Sequence, residues 1–421
     1  MTSEAVTKGA KYSGASQPAQ IPGSDGCDNR GMDTLRFDVA VVGPGVAGLA
    51  TALGLAQQGL KVALIGPRPR IHRPTEEAPF DARIYALAPG SAALLERLGA
   101  WGRVDAGRVC PVERMRVFGD AGDELTFDAY ASTVERLATI VEESELARVL
   151  DAACDYQPAI VRVDASFQGL RAQSDGVELE LADGRRVAVA LVVGADGANS
   201  AVRAAAGINA EVKPYQHTAL VANFRCERPH LNTAWQWFTD EGIVALLPMA
   251  GERVSLVWSA PEELAVRLQS LDPAAFAERV TARSRHVLGA LTSIGPVHAF
   301  PLRLLTVQRL VSPALALVGD AAHVVHPLAG QGLNLGLQDV DALLRTVGGR
   351  EGFRGAGDPV VLRRYERSRA EPIGLMRFTT DGLARLFAID DPFVRSARNA
   401  GMSLVNRLKP LKSRLIRHAL G

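Results

Sequence analysis

The segment from Phe37 to Ile65 constrains this chain more than any other. Phe37-Asp38-Val39-Ala40-Val41-Val42 is a short, almost wholly apolar run of the kind that forms a strand covered on both faces. Val46 to Gln58 follows with helical spacing, and Lys61 to Ile65 reads as a second strand, so the three make a βαβ unit within a parallel sheet. Strand and helix are joined by Gly43-Pro44-Gly45-Val46-Ala47-Gly48. Glycines permit the tight turn and let a pyrophosphate approach the backbone N–H groups at the helix N-terminus. A chance glycine turn is the alternative, but the strand-turn-helix context is what a dinucleotide fingerprint demands.

That fingerprint expects an acid about 20 residues on, gripping the adenosine ribose. Here the position is Gly66, followed by Pro67-Arg68-Pro69-Arg70. Either arginine is a candidate phosphate partner, and a solvated loop is the competing reading.

Two later segments also deliver a carboxylate from a strand to a turn. Val187 to Val193 ends in Gly194-Ala195-Asp196-Gly197-Ala198-Asn199-Ser200, ahead of a helix starting at Ala201. Local chemistry leaves a capped helix entrance and a ligand contact equally open. Leu315 to Val318 leads into Gly319-Asp320-Ala321-Ala322-His323, then Pro327-Leu328-Ala329-Gly330-Gln331-Gly332-Leu333-Asn334 and an amphipathic helix to about Arg345. Asp320 suits hydrogen bonds from polyol hydroxyls, and the amides of Gly330 to Gly332 open a helix that stabilises negative charge.

These three segments, in this order, resemble the signature set of the group A flavoprotein monooxygenases, the para-hydroxybenzoate hydroxylase fold. A finer resemblance, carried by Asp81-Ala82-Arg83-Ile84-Tyr85-Ala86-Leu87, Ser91 to Trp101 and Gly319 to Leu335, is to the UbiH/UbiF family of ubiquinone-biosynthesis hydroxylases. It spans Phe37 to Gly421. The implied fold is α/β: a Rossmann-like FAD-binding domain with a mixed sheet, an interleaved antiparallel-sheet substrate domain, and a C-terminal helical segment. The resemblance divides the chain into a disordered tail (1–34), FAD-binding parts at 35–110, 136–208 and 306–350, substrate-domain parts at 111–135 and 209–305, and C-terminal helices over 351–421.

It further implies that Gly43, Gly45 and Gly48 hold the FAD pyrophosphate, that Arg83 contacts the flavin, and that Gly319 and Asp320 serve the ribityl chain. Asp196 and Gly197 match a segment associated with both FAD and the nicotinamide donor NAD(P)H. Pro327, Gly330, Gln331 and Gly332 line the flavin where oxygen is activated, and Leu333 and Asn334 complete the cofactor contacts. The implied reaction transfers one oxygen atom from a flavin 4a-hydroperoxide to the ring of a polyprenylated phenol. Glu143, ahead of Leu146, departs from the family pattern by putting a carboxylate where a neutral or basic FAD contact is expected.

Composition narrows the alternatives. At 421 residues, with 47% hydrophobic and 22% charged side chains, the chain is long enough for two domains sharing an interface. A net charge of +1 provides no global field for nucleic acid. Cys27, Cys110, Cys154 and Cys226 are scattered, which indicates neither a disulfide framework nor a thiolate metal site. His323 and His326 alone do not make a metal site, and His323 is read as part of the flavin segment, structural or catalytic.

The amino-terminal residues mix polar and small side chains without an apolar stretch, and Met32 is a candidate natural start. Ala219 to Ala222, Ala234 to Phe238 and Ile243 to Leu247 read as antiparallel strands. Trp235, Trp237 and Phe238 then face either the sheet core or a hydrophobic substrate. After Asp391 there is no carboxylate, and Arg395, Arg398, Arg407, Lys409, Lys412, Arg414 and Arg417 alternate with apolar residues. Such a segment suits an anionic membrane surface, a partner subunit or its own domain. The expected location is cytoplasmic, with peripheral attachment to the inner face of the membrane. The competing functions are hydroxylation of a small soluble aromatic and a flavin-poor, non-catalytic role in a ubiquinone-biosynthesis complex.

Overall fold

The structure is a computed structural model, and it describes residues 34–68, 80–119, 124–174, 176–326 and 331–388. The amino-terminal tail with Met32, and Arg70, Pro327, Gly330 and the basic carboxy-terminal segment, lie outside them.

β1 (Thr34–Val42) passes through the glycine turn into α1 (Val46–Gln57) and returns as β2 (Val62–Ile65). Next come β3 (Ile84–Leu87), α2 (Pro89–Arg97), β4 (Cys110–Val112), β5 (Arg114–Phe118), β6 (Glu124–Asp128) and β7 (Ala138–Glu142). α3 (Glu143–Asp155) precedes β8 (Ile160–Val163), β9 (Phe167–Gln173), β10 (Gly176–Leu181) and β11 (Arg186–Gly194). α4 (Ala201–Ala205) is followed by β12 (Ala210–Cys226), β13 (Thr233–Thr239), β14 (Gly242–Met249) and β15 (Arg253–Pro261). α5 (Glu262–Gln269), α6 (Pro273–Arg283), β16 (Leu291–Ser293) and β17 (His298–Val307) continue the chain. It then runs through β18 (Val311–Ser312), β19 (Leu315–Leu317), a helical turn at Gly319–Ala321, β20 (His323–Val324), α7 (Gln331–Gly348) and α8 (Pro359–Ala388).

β1 lies inside an eight-stranded sheet ordered β18-β19-β11-β1-β2-β8, with β10 and β9 branching from β11. Its neighbours β2 and β11 are both parallel to it, with Val41 opposite Leu64 and Val193. Val39, Ala40, Val41, Val62 and Ala63 have no exposed surface, as a sheet covered on both faces requires. α1 is buried from Val46 to Ala56 except at Ala47, and packs on α3 and α7.

The second sheet has nine strands ordered β20-β17-β12-β15-β14-β13-β5-β6, with β16 on β12. Strands β12 to β15 pair antiparallel, as their alternation predicts, but β13 and β5 are parallel because β5 arrives from a distant part of the chain. Leu220, Phe224, Trp235, Trp237, Leu256 and Trp258 pack with Phe276 and Val280 of α6 in one core. Trp235 and Trp237 are therefore core residues on the helix side. Phe238 points to the opposite face and packs on Val117. That face also packs, through Ala234, Leu247 and Met249, on Ile84, Cys110 and Ile140 of a three-stranded sheet ordered β3-β7-β4.

The segment between β19 and β20 crosses from the first sheet to the second: β19 pairs with β11, while His323 and Val324 pair with Thr306 and Leu305. Asp320 sits in that crossing.

Candidate functional site

The three glycine-bearing turns meet at the C-terminal ends of β1, β11 and β19, where parallel sheets hold their ligands. The Ala195 amide donates to Val42 O at 2.8 Å, and the Val318 amide to Gly194 O at 3.0 Å. Gly43 has φ +107° and lies so close to the next turn that a Cβ would stand 2.4 Å from Ala195 O. At Gly48 a Cβ would stand 1.8 Å from Gly43 O. Gly45 differs, because nothing lies within 4 Å of where its Cβ would be. That open space adjoins the first turn of α1, which has no side-chain cap and no acidic residue. Uncapped amides beside free space are what an approaching pyrophosphate needs.

Gly319 has φ +61°, a conformation that favours glycine, and on α7 a Cβ at Gly336 would stand 3.1 Å from Gly319 Cα, so the third turn and α7 approach closely. The turn presents Asp320, which is exposed to solvent yet surrounded by protein on several sides. Desolvation raises its pKa above the usual carboxylate range, an effect that His323, Arg83 and Arg303 partly offset. Such a carboxylate gains by accepting hydrogen bonds from hydroxyl groups. Beside it the Tyr85 phenol is kept un-ionised by burial, then by the charges of Glu143 and Asp320.

α7 begins at Gln331 without acidic residues in its first turn, so no carboxylate there offsets the partial positive charge of its N-terminus. Gly332 has open space around it. Leu333 packs against the core. The Asn334 side chain accepts the Ala88 amide at 2.8 Å and donates to Ala86 O at 2.8 Å, locking the start of α7 onto the end of β3. Arg83, just before β3, donates to Glu143 Oε2 at 3.0 Å and stacks over the Phe300 ring at 5.4 Å. Glu143 thus carries a compensating cation.

Gly66 also has a local reason. Its φ is +138°, and a Cβ there would stand 2.6 Å from Pro44 Cδ, so the glycine is required by the turn that holds Pro44. Arg68 serves α3, pairing with Asp151 at 3.1 Å and with Asp155, and its charge is spent within the protein.

Ser200 is the N-cap of α4, accepting the Arg203 amide at 2.9 Å, and Asp196 supports it by accepting Ser200 Oγ–H at 2.5 Å and the Val202 amide at 3.1 Å. The helix-entrance chemistry therefore operates at this turn. Gly197 has φ +81° with no neighbour within 4 Å of a Cβ. From α4, Arg203 donates to Ala321 O and Ala198 O, both at 2.9 Å, so one guanidinium ties the second turn to the third. Desolvation lowers its pKa, with Asp196 opposing the shift.

His323 and His326 have separate partners. His323 hydrogen-bonds Asp339 at 2.6 Å, whereas His326 Nε2 meets Ser259 Oγ at 3.3 Å, next to the Tyr215 ring edge. Burial and neighbouring His217 push His326 down to about 4, leaving it neutral. Arg203, Asp339 and Arg369 escape a motif-based reading of the sequence. Asp339 alone leaves a sequence signal, a carboxylate on the apolar stripe of an amphipathic helix.

A family model described as FAD binding domain matches residues 36–375. The chain is 36% identical over 392 residues to 3-demethoxyubiquinol 3-hydroxylase of Escherichia coli (strain K12), covering 91% of this chain and 98% of that protein. It is 36% identical over 387 residues to ubiquinone hydroxylase UbiL of Rhodospirillum rubrum, covering 91% and 89%. The chain belongs to the FAD-dependent ubiquinone-biosynthesis hydroxylase family. Its fold matches the crystal structure of P. aeruginosa PqsL in complex with 2-aminobenzoylacetate, with TM-score 0.74, 25% identity and coverage of 87% and 99%. As a member of this family it is an FAD-binding monooxygenase, and the open space at Gly45, the uncapped α1 and the Asp320 carboxylate suit that cofactor.

Proposed function

We propose that this flavoprotein hydroxylates the aromatic ring of a polyprenylated phenol on the route to ubiquinone, with NAD(P)H as electron donor. The carrying observation is the meeting of three cofactor turns beside the second sheet, in a chain alike over nearly its full length to a 3-demethoxyubiquinol hydroxylase. FAD, when bound, supplies the activation of molecular oxygen. The protein's part is to bind, orient and exclude water. Gly43, Gly45 and Gly48 with the first amides of α1 hold the pyrophosphate, and Asp320 accepts hydrogen bonds from the ribityl hydroxyls. Arg83 contributes a cation at the same cleft. The α7 amides at Gln331 and Gly332 would stabilise negative charge on a bound flavin, and Pro327 and Gly330, in the segment before them, would line it.

A flavin-poor role would draw on Gly66 and Glu143, the two departures from the FAD pattern, but both have local structural reasons, which favours enzymatic function. The substrate is met at a membrane surface, where the basic carboxy-terminal segment docks the enzyme beside its prenylated phenol. Purified protein reconstituted with FAD should bleach on NAD(P)H addition, faster with a polyprenyl phenol than without, and release a product one oxygen atom heavier. Turnover of small soluble phenols but not of prenylated ones would assign the enzyme to the other substrate class.

A further inference from the structure

The turn that presents Asp320 is held from behind by a buried ionic node. Asp339, on α7, has no exposed surface, and His323 and Arg369 retain 3% and 5%. Asp339 Oδ2 accepts the Gly319 amide at 3.0 Å and the His323 Nε2 proton at 2.6 Å. Its Oδ1 accepts Arg369 Nε–H at 2.7 Å, and Arg369 Nη2 donates onward to Leu335 O at 3.3 Å. One carboxylate therefore joins the residue before Asp320, β20, α7 and α8.

Desolvation alone would raise the pKa of Asp339, yet His323 and then Arg369 hold it below the usual range, so it stays ionised. A buried ion pair is seldom the most stabilising filling for its volume. This pair does something an apolar filling cannot: it accepts the amide of Gly319, which sits at φ +61° directly before Asp320.

We propose that Asp339 is a positioning residue for the flavin site, fixing through the Gly319 amide the direction in which Asp320 faces the cleft, with Arg369 and His323 holding Asp339 in place. The inference rests on Asp320 binding FAD as proposed above. Asp339→Asn keeps the shape but replaces one acceptor oxygen with an NH₂ group, so the Gly319 amide or its ionic partners lose their acceptor. The FAD Kd of the full-length variant, measured by flavin fluorescence quenching, should rise roughly ten- to hundredfold, the range expected for losing a charged hydrogen bond. The visible circular dichroism of the bound flavin should change with it.

Asp339→Asn also strands a buried Arg369 and will lower the melting temperature of the apoprotein. The double variant D339N/R369Q removes both charges and should recover much of that temperature while FAD affinity stays weak. Affinity that recovers in step with melting temperature, or that is unchanged in D339N, overturns the proposal. If D339N does not fold, the double variant decides alone: wild-type FAD affinity there overturns the proposal, and weakened affinity in a stable apoprotein supports it. Asp320→Asn separates the two levels. Unchanged affinity in D320N removes the assignment of Asp320 and this inference with it, whereas weakened D320N beside unaffected D339N removes only the inference.

Discussion

Asp320 combines two demands that conflict within one residue. Its surroundings disfavour the charge, raising its pKa, yet the proposed ribityl contact calls for an acceptor of hydroxyl protons. A carboxyl whose folded pKa lies above its unfolded value favours the fold when protonated, below the unfolded value of about 3.9, and loses that contribution as pH rises through the folded pKa. Asp320→Asn should therefore stabilise the apoprotein at pH 7 by no more than about 1 kcal/mol, the side chain being partly solvated. This advantage should disappear as pH falls toward 4, a trend that scanning calorimetry of the apoprotein can follow. An advantage that grows on acidification would mean that the carboxylate is stabilised in the fold. Gly66 and Glu143 teach a related lesson, since each departs from a motif and each answers to an immediate neighbour, Pro44 or Arg83.

At the level of the β1-turn-α1 element, the three glycines have different jobs. Gly43 and Gly48 are closed in by backbone, whereas Gly45 has φ −77° and open space at its Cβ position. Gly45→Ala should fold with a loss of about 1 kcal/mol, since alanine is a markedly poorer helix N-cap than glycine but its Cβ meets no neighbour here. Gly48→Ala drives a Cβ into a carbonyl oxygen and should cost about 1–3 kcal/mol or more. Urea unfolding will order the two variants, and an FAD titration should find G45A impaired despite its stability. Wild-type FAD affinity in G45A would mean that the pyrophosphate does not lie over Gly45. α7 shows how an element exceeds its sequence pattern: the amphipathic run expected to end near Arg345 continues to Gly348, and the charged Asp339 sits on its buried face.

Across the whole molecule, the two large sheets are linked through the crossing that carries Asp320 and through the packing of the second sheet on β3, β4 and β7. The three glycine-bearing turns and the second sheet therefore cannot move independently without disturbing buried contacts. Among the described residues no helix is long and apolar enough to cross a membrane. The basic residues of the carboxy-terminal segment would each contribute about 1 kcal/mol to docking on an anionic surface. Reversing two of them, Lys412→Glu with Arg414→Glu, should reduce partitioning onto phosphatidylserine-containing vesicles by well over tenfold, as judged by sedimentation, and leave FAD binding unchanged. Equal partitioning of variant and wild type would place this segment against protein.

The βαβ unit and the three glycine-bearing turns were legible because each is written in contiguous residues: an apolar run and glycines where the backbone must turn tightly. The tandem strands of the second sheet were legible for the same reason. Strand partners were not, because period-two alternation marks a strand without naming its neighbour, and β5 lies parallel to β13 through a long-range pairing. Nor was it legible that Trp235 and Trp237 face α6, or that Asp339, His323 and Arg369 form one node. Desolvation, pairing and packing depend on which distant residues are brought together, so the charge state and task of such a side chain are settled only when the chain has folded.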